Sequence, residues 1–519
     1  MNCMRIAVLV AVGTTATACA VGPRYHRPEA PANAGYAPAT VPESSASATI
    51  HGGESQRLVS GQDIPFEWWK LFKSPALDAL VDRAFETNPT VAAAQAALVQ
   101  AQELVYAQQG YFFPSVGANY NFQRTKIAGN FTVDDSPGTQ GNGDNLNPPL
   151  QSLTTFPHTA PLYYNYHTAE LTVGFVPDVF GANRRQVESL EAQRDAQRFA
   201  LEATYITLAS NVVASAIQEA SLRAQIEATR QIIAADEKSL QLLRAQFQLG
   251  YAMRIDVAAQ ETALAEARAT LPPLREQLEQ TRDLIRALVG QLPSQDVAET
   301  FELDALQLPP ELPLSLPARI IEQRPDVRAA EAQLHSANAL VGVALAAMLP
   351  QVSISGMYGG NADQFAWMFR RGGPFWTLVD NASQPLFEGG TLLHQKRAAN
   401  EALKQAAAQY QSSVLTAYQN VADTLHASLS DADTLAANVR AEEAARVTFD
   451  LTRRQMEVGY VNYLTLLNAE TAYQQAVLQR VQAQATRYGD TVAMFQALGG
   501  GWWNRTPAGY AVSAQSPAN

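Results

Sequence analysis

Two very long helical segments constrain the fold of this chain more than any other feature. Residues 182–249 and 391–458 each run for 68 residues without Pro or Gly, and both are rich in Ala, Leu, Gln, Glu and Arg. These residue types favour the α-helix. At a rise of about 1.5 Å per residue, each segment would form a rod about 100 Å long. A globular domain of ordinary size cannot enclose such a rod.

The same landmarks occur twice along the chain. Both long segments end in a Gly-Tyr pair, Gly250-Tyr251 and Gly459-Tyr460, and the residues that follow correspond at a constant spacing of 209 positions. Asn88-Pro89 pairs in the same way with Arg324-Pro325. A period of roughly 200 to 240 residues is too long for a solenoid repeat. The chain is therefore a duplication, and its halves share one architecture.

The overall charge and the absence of long apolar runs narrow the function. The chain has 37 Lys and Arg against 49 Asp and Glu, a net charge of −12. This acidic balance argues against a nucleic-acid partner, because phosphate binding requires a basic surface. No apolar run reaches 18 residues, so the sequence predicts no transmembrane helix. Contact with a membrane would therefore need a structural feature other than a transmembrane helix.

The N-terminus supplies a candidate for such a membrane-binding feature. Residues 1–18 combine Arg5, an apolar run and small residues, as an export signal does. Small residues directly before Cys19 resemble the bacterial lipobox, although Ala16 stands where Leu is usual. This implies that Cys19 becomes the lipidated first residue, and Ala20 after it implies sorting to the outer membrane. The alternative is ordinary cleavage after Ala18.

Two stretches alternate with a period of two and predict β-hairpins. After Pro114, apolar side chains from Val116 to Phe122 alternate with polar ones, and the second half repeats this pattern after Pro350. Each half therefore contributes one hairpin, which gives four strands per protomer. Four strands in lipid leave unpaired edges, so a barrel needs several copies, and three copies with twelve strands are the smallest plausible solution. A soluble four-stranded sandwich does not explain the rods beside it.

The chain divides into six predicted segments. These are a signal peptide (1–18), an extended lipidated segment (19–65), a first repeat (66–292), a Pro-rich linker (293–317), a second repeat (318–498) and a C-terminal tail (499–519). Within the repeats we predict hairpins at about 114–176 and 351–384, long helices at 182–249 and 391–458, and return helices at 252–289 and 461–498. Pro272-Pro273 is predicted to break or kink the first return helix near Leu271.

Several motifs in this order resemble the outer-membrane factor (TolC-like) family, and within it the lipoprotein branch of tripartite efflux systems. The resemblance covers nearly the whole mature chain. The motifs are CAVGPRYHRPE at 19–29, FEWWKLFKSPALDALVDRAFETNPTV at 66–91, PLFEGG at 385–390, YLTLLNAE at 463–470, LGGGW at 498–502 and the two Gly-Tyr turns.

The resemblance implies a mainly α-helical protein with a β-barrel part. A homotrimer would form a 12-stranded outer-membrane β-barrel that continues into a periplasmic α-helical barrel. It implies a non-enzymatic exit duct fed by a periplasmic adaptor protein and an inner-membrane transporter of the RND or a related type. The protein would be lipid-anchored in the outer membrane through palmitate and related acyl chains on Cys19, with no other cofactor.

The Gly-Tyr turns would form the periplasmic mouth of such a duct. Family members commonly carry inward aspartates at the positions of Thr465 and Asn468, so this chain would lack that charged ring. Asn468 then either lines the constriction or faces a neighbouring helix, and Asp256, which corresponds to Thr465, is either a gate carboxylate or part of a solvated face. Gly250, Tyr251, Gly459 and Tyr460 are candidates for adaptor contact; the alternative is that the tyrosines cover the hairpin's own apolar seam.

No pattern typical of an active site or metal site is present in the sequence. Asp431 and Asp433 lie two apart on a predicted helix, do not face each other, and are interpreted as a solvated face. Two other functions remain open at this point. One is a duct of the same architecture for type I protein secretion, and the other is a periplasmic coiled-coil scaffold without a pore.

Overall fold

The computed structural model describes residues 20–29, 35–36, 42–127 and 162–505. Within these ranges it contains eight α-helices and six β-strands. The helices are α1 (Pro75–Thr87), α2 (Pro89–Gln109), α3 (Ala182–Gln248), α4 (Arg254–Leu288), α5 (Pro317–Gln323), α6 (Pro325–Ala346), α7 (Thr391–Glu457) and α8 (Tyr463–Ala497). The strands are β1 (Arg57–Ser60), β2 (Ser115–Ile127), β3 (Leu162–Phe175), β4 (Glu311–Leu314), β5 (Gln351–Ala362) and β6 (Pro374–Ser383).

The long helices have the lengths that their residues predict. Helices α3 and α7 each contain 67 residues, and each ends one residue before the predicted boundary. Helices α1 and α2 begin where a capping residue precedes a proline. Ser74 Oγ accepts a hydrogen bond from the Leu77 N–H at 3.4 Å ahead of α1, and Asn88 Oδ1 accepts one from the Thr90 N–H at 2.8 Å ahead of α2.

Of the two predicted alternatives at Pro272-Pro273, the break is wrong, because α4 runs without interruption from Arg254 to Leu288; the kink stays a prediction. A proline inside a helix leaves the carbonyl four residues earlier without its usual N–H partner. The carbonyls concerned belong to Arg268 and Ala269, and both residues are exposed. Water can therefore satisfy these two carbonyls, and the helix continues.

The two predicted hairpins form one antiparallel sheet of four strands. The strand order is β2-β3-β5-β6, so the pairing of β3 with β5 joins the two halves of the duplication. Helices α2 and α6 lead into β2 and β5, and β3 and β6 lead into α3 and α7. All four helices therefore connect to the same end of the sheet, which we call the helical end; the other end is the loop end. Strands β2 and β6 are the sheet's two edges.

The register gives this sheet two chemically different faces. Cross-strand partners such as Tyr120 and Ala169, or Tyr358 and Trp376, lie on the same face. The apolar face carries Val116, Tyr120, Phe122, Leu171, Tyr358 and Trp376. The polar face carries Asn119, Asn121, Gln123, Glu170, Thr172 and Asn381. A sheet between lipid and water has this pattern.

Sequence reasoning missed a second, smaller pairing. Strand β1 pairs in parallel with β4, which lies in the segment interpreted as a Pro-rich linker. Nearby, the FEWWKLF motif supplies buried aromatic side chains rather than a binding surface. Trp68 and Trp69 are each 1% exposed, and Trp68 stacks on Phe495 of α8 with ring centroids 5.2 Å apart. The segment before α1 is thus part of a hydrophobic core.

The compact units of the fold do not coincide with the repeats. One unit combines residues 102–191 and 335–404 with the start of the chain, and it contains the four-stranded sheet. The other combines residues 26–101, 192–334 and 405–519. Each unit draws on both halves of the duplication, and α3 and α7 have residues in both units. The duplication is therefore not a boundary between domains.

One helix has the length and composition of a membrane span. An apolar stretch within α3 meets both conditions, and 67% of that stretch is buried inside the protein. Burial of this extent is also typical of the core helix of a soluble protein. This feature alone is weak evidence that α3 crosses a membrane.

Candidate functional site at the tips of the helical hairpins

Both long helices end in the same backbone motif. The Tyr251 N–H donates to the Gln246 carbonyl at 2.8 Å, and the Gly250 N–H donates to the Phe247 carbonyl at 3.0 Å. This is the hydrogen-bond pattern of a Schellman cap. The second tip repeats it at Gly459 and Tyr460, with distances of 3.0 and 2.9 Å. The two glycines have φ angles of +83° and +81°, which a side chain would disfavour.

These caps hold two tyrosines in the open. Tyr251 is 82% exposed and Tyr460 is 84% exposed. Side chains this exposed do not cover the seam of their own hairpins, so the alternative interpretation of these tyrosines is not supported. Further exposed apolar residues lie within five positions of them along the chain, namely Leu249, Met253, Ile255, Val458 and Leu464. Each tip therefore exposes apolar side chains together with one tyrosine.

The return helices begin with two different caps. In α8 the Asn462 Oδ1 accepts hydrogen bonds from the Thr465 N–H at 2.9 Å and from Thr465 Oγ1 at 2.8 Å. At the start of α4 the corresponding N-cap residue is Met253, whose side chain is a poor hydrogen-bond acceptor. There the Asp256 carboxylate accepts from the Met253 N–H at 3.1 Å. Asp256 and Thr465 thus both stabilise helix N-termini.

Asn468 lies one turn beyond Thr465 on α8, and its side chain is exposed. It is therefore available to a neighbouring surface or to an aqueous channel. The structure brings Asp256 and Thr465 into equivalent places on the two hairpins, while Asn468 extends this set on one of them only.

A small apolar core fills the seam below the tips. Its buried members are Leu240, Leu243, Val257, Leu264, Tyr463 and Leu467, which come from α3, α4 and α8. The two tips are therefore packed on shared side chains rather than held apart by solvent.

A buried polar network continues this seam, and sequence reasoning missed it. Gln260 donates to the Asp236 carbonyl at 3.2 Å and to its carboxylate at 3.3 Å. Gln474 reaches the same carboxylate at 3.4 Å, and the Tyr463 hydroxyl donates to Gln260 Oε1 at 2.5 Å. Asp236 is 1% exposed and Gln260 is fully buried. The network joins α3, α4 and α8.

Glu470 brings a second carboxylate to this buried region. Burial and the nearby charge of Asp236 raise the pKa of Glu470 to about 7. Burial also raises the pKa of Asp236, although hydrogen bonds from Gln474 and Gln260 oppose the rise. Two carboxylates that influence each other in a low dielectric cannot both ionise without cost. This site below the tips therefore changes its charge near neutral pH.

A second carboxylate pair corrects the interpretation of Asp431 as part of a solvated face. Asp431 of α7 is half-buried and adjoins Asp490 of α8. Burial and the interaction with Asp431 raise the pKa of Asp490 to about 7. The neighbouring Asp433 is exposed, as expected. Helical spacing shows which residues share a helix face, but not which residue of another helix lies opposite.

A metal site finds no support in the part of the chain that is described. Within it, no group of three or more His, Cys, Asp or Glu side chains is placed to hold a metal ion.

The predicted lipid site, Cys19, lies outside the described residues, but the residues after it have defined contacts. The Val21 N–H donates to the Phe180 carbonyl at 3.1 Å. Gly22 has a φ of +106°, and a Cβ there would lie 2.5 Å from Gly342 Cα of α6. We call residues 20–25 the N-terminal strap. It runs against the helical end of the sheet.

We expect Gly342→Val to release this strap. A Cβ at Gly342 would meet the Val21 carbonyl oxygen and Arg185 Cγ at 2.9 Å each. These contacts are too close for a side chain, so the strap must move and become more sensitive to protease. Limited proteolysis with N-terminal sequencing measures this. The control is Gly489→Val, since a Cβ there meets nothing within 4 Å. Equal cleavage of both variants would contradict the tight packing at Gly342.

Comparison with known proteins places this geometry in a family. The family model described as outer membrane efflux protein matches residues 80–291 and 316–500. The pyoverdine export outer membrane protein OpmQ of Pseudomonas aeruginosa is 29% identical over 443 residues, which cover 84% of this chain and 87% of that protein. The toluene efflux pump outer membrane protein TtgC of Pseudomonas putida is 26% identical over 505 residues, covering 96% of each.

Solved structures agree with this assignment. The outer-membrane channel OprN superposes with a TM-score of 0.79 at 26% identity, over 93% of this chain and 100% of that one. CusC has the same fold, with a TM-score of 0.76 at 20% identity over 92% and 99% of the two chains. OprN is described as an outer-membrane channel, and the matching family is one of outer membrane efflux proteins and not a family of enzymes. The chain belongs to the outer membrane efflux protein family and is the outer-membrane channel of an efflux pump.

Proposed function

We propose that three copies of this chain form a duct with a closed 12-stranded barrel in the outer membrane and an α-helical barrel in the periplasm. The observation that carries this proposal is the four-stranded sheet, which has one apolar face, one polar face and two edge strands. In lipid, edge strands need partners. Pairing β6 of one copy with β2 of the next supplies them and turns the polar face towards an aqueous lumen.

The cargo follows from what related proteins carry. The names of the relatives refer to pyoverdine export and to toluene efflux, which concern small molecules. We propose that this duct passes drugs, solvents or other small compounds delivered by an inner-membrane transporter of the RND or a related type. In this proposal the transporter, rather than the duct, selects the compounds.

The apolar tips are the proposed docking surface for the periplasmic adaptor. Tyr251 and Tyr460 are exposed on Schellman caps, and both have exposed apolar residues close by in the chain. Exposed apolar patches with a central aromatic residue are typical of protein interfaces. The repetition of one surface on both hairpins offers the adaptor two equivalent positions per protomer.

Cys19 is the proposed lipid attachment site. The N-terminal strap begins directly after it and contacts Phe180, which lies between β3 and α3 at the helical end of the sheet. An acyl chain on Cys19 would therefore start beside the membrane-spanning sheet. Lipidation there adds a second anchor to the barrel.

The proposed gate lies at the tips, where copies of Asn468, Thr465 and Asp256 surround the mouth. The cap geometry refines their roles. Thr465 and Asp256 hold the starts of the return helices, so they set the position of the mouth, while Asn468 is free to contact its counterparts in other copies. Amide hydrogen bonds and packing would then close the constriction without a full ring of charges.

Single-channel conductance tests the duct and the gate together. We expect the purified trimer to show a small, mostly closed conductance in planar bilayers. The double variant Asp256→Asn and Asn468→Ala is expected to open more often, about tenfold, because the amide contacts of Asn468, worth about 1.4 kcal/mol in total, are lost. Asn at 256 keeps an acceptor for the Met253 N–H, so the helix cap is retained.

The control is Asp433→Asn, an exposed carboxylate on α7 that takes no part in the tips. Opening equal to the wild type in the double variant would overturn the gate. A membrane-inserted trimer that never conducts would overturn the duct itself.

A further inference from the structure

The loop between β5 and β6 carries an unusual combination of side chains. Phe365, Trp367 and Phe369 alternate along it and are 64%, 44% and 60% exposed. Arg370 and Arg371 follow directly and are also exposed. Exposed aromatic rings are unfavourable in water, and the guanidinium groups beside them suit a partner that is both apolar and anionic. The efflux function described above makes no use of them.

This loop folds back over the apolar face of the sheet. Phe365 lies 5.9 Å from the Tyr120 ring and 6.2 Å from His167, two residues of that face. Met368 is 2% exposed, and its carbonyl packs against Gly360, where a Cβ would not fit. The loop is thus fixed on the side of the sheet that would face lipid.

A cleft lies between the loop and the sheet. It has a volume of about 460 Å³, and its apolar lining includes Ala118, Tyr120, Ala169, Leu171, Tyr358 and Phe369. The small side chains of Ala118 and Ala169 leave space for the cleft, and the larger side chains form its walls. An acyl chain is the kind of ligand that such an open apolar cleft on a membrane-facing surface accommodates.

Several cationic side chains belong to the loop end of the sheet, and Arg370 directly follows Phe369 of the cleft lining. Arg124 and Lys126 extend the apolar-face side of β2 beyond Phe122, and Arg370 and Arg371 lie in the adjacent loop. Among the described residues, no ion pair engages Arg124, Arg370 or Arg371. The chain as a whole has a net charge of −12, so this local excess of cations is against its trend. Guanidinium pairs suit phosphate because they can donate two parallel hydrogen bonds to it.

We propose that this cleft binds a phosphorylated glycolipid of the outer leaflet, with one acyl chain in the cleft and a phosphate on Arg370 and Arg371. The inference rests on the proposed duct, because the loop end faces the cell exterior only if the helices lie in the periplasm. Bound lipid would cover the exposed aromatic rings and fix the loop beside the barrel mouth.

Native mass spectrometry of the purified, full-length trimer tests this, with bis-phosphorylated lipid A as the probe. We expect Arg370→Ser with Arg371→Ser to weaken binding at least tenfold, or about 1.4 kcal/mol, since the charge-assisted contacts of both guanidinium groups are lost. The matched control is Arg453→Ser with Arg454→Ser, an exposed adjacent pair on α7 with the same charge change. It should bind as the wild type does.

Three further measurements separate the parts of the site. Ala169→Phe fills the cleft and should also weaken lipid A binding. Arg370→Lys with Arg371→Lys keeps the positive charge and should retain most of the lipid A binding. Excess inorganic phosphate should not displace lipid A, because it cannot fill the cleft. Full displacement would mean a simple anion site and would overturn the proposal.

Unchanged lipid A binding in both the double Ser variant and Ala169→Phe would also overturn the proposed lipid site. If the double Ser variant does not assemble, Ala169→Phe and the double Lys variant decide. Conductance of the same preparations keeps the two proposals apart. Channels that conduct but bind lipid A equally in all variants contradict only the lipid site, whereas preparations that never conduct contradict the duct.

Discussion

Replacement of Arg487 by Ala is expected to lower the free energy of unfolding by about 3 to 5 kcal/mol, because it leaves several buried acceptors without a donor. Arg487 lies on α8 and is 1% exposed. Its guanidinium donates to the Gly52 carbonyl at 3.2 Å, to Ser45 Oγ at 3.2 Å and to the Glu54 carbonyl. Burial lowers the pKa of Arg487, and the negative charge of Glu54 opposes this.

The loss of these hydrogen bonds should loosen one segment of the chain in addition to lowering the stability of the whole protein. Residues 42–64 fold against α8 through these contacts, so Arg487→Ala should expose this segment to protease before the rest of the chain. Thermal unfolding and limited proteolysis of the detergent-solubilised protein measure the two effects.

Two further variants separate the loss of the hydrogen-bond donors from the loss of side-chain volume and of charge. Arg487→Met preserves most of the volume but not the donors, so it should recover only a small part of the loss. Arg454→Ala removes an exposed guanidinium and should change stability by less than about 0.5 kcal/mol. A loss equally small for Arg487→Ala would show that the buried hydrogen bonds do not hold the segment.

The second large effect is a decrease in stability as the pH rises from about 4.5 to 7. The pKa of Glu470 is about 7 in the folded protein and would be near 4.5 in the unfolded chain. Between these values the folded state holds a proton that the unfolded state has lost, so stability falls as the pH rises from about 4.5 to 7 and then levels off. The full difference corresponds to at most about 3 kcal/mol.

Glu470→Gln should remove this cost, since Gln keeps the shape and carries no charge beside Asp236. We expect the variant to melt at a higher temperature than the wild type at pH 8.5 and at a similar temperature at pH 5. The control is Glu457→Gln, an exposed carboxylate at the end of α7. The titratable groups that interact with Glu470 are Asp236 and Tyr463, and Asp236 brings a negative charge of the same sign.

Some pH dependence should remain in Glu470→Gln, because burial also raises the pKa of Asp490 to about 7. The double variant with Asp490→Asn should therefore be the least sensitive to pH. A melting temperature for Glu470→Gln that follows the wild type at every pH would mean that Glu470 is not buried as a proton-holding group.

Both large predictions depend on residues that no local pattern identifies. Arg487 and Glu470 look like ordinary polar residues of an amphipathic helix when α8 is read alone. Their partners lie 435 positions away for Arg487 and Gly52, and on α3 for Glu470. Sequence spacing within one helix cannot reveal contacts of this kind, and the same reason explains why Asp431 was misinterpreted.

The sequence by itself determined the features that depend on neighbouring residues. The lengths of α3 and α7 follow from uninterrupted helix formers, and their ends follow from Gly250 and Gly459, whose positive φ angles suit a cap. The four strands of the sheet follow from alternation of apolar and polar residues. These terms are local, because helix hydrogen bonds span four residues and strand faces alternate every two.

Only the tertiary structure decided what the elements pack against. It paired β1 with β4, kept α4 unbroken through Pro272-Pro273, and divided the chain into units that mix both halves of the duplication. It also placed the Asp236 network below the tips and folded the β5–β6 loop over the apolar face. Each of these depends on burial and solvent access at positions far apart in the chain, and such contacts are set by the packing of the whole fold.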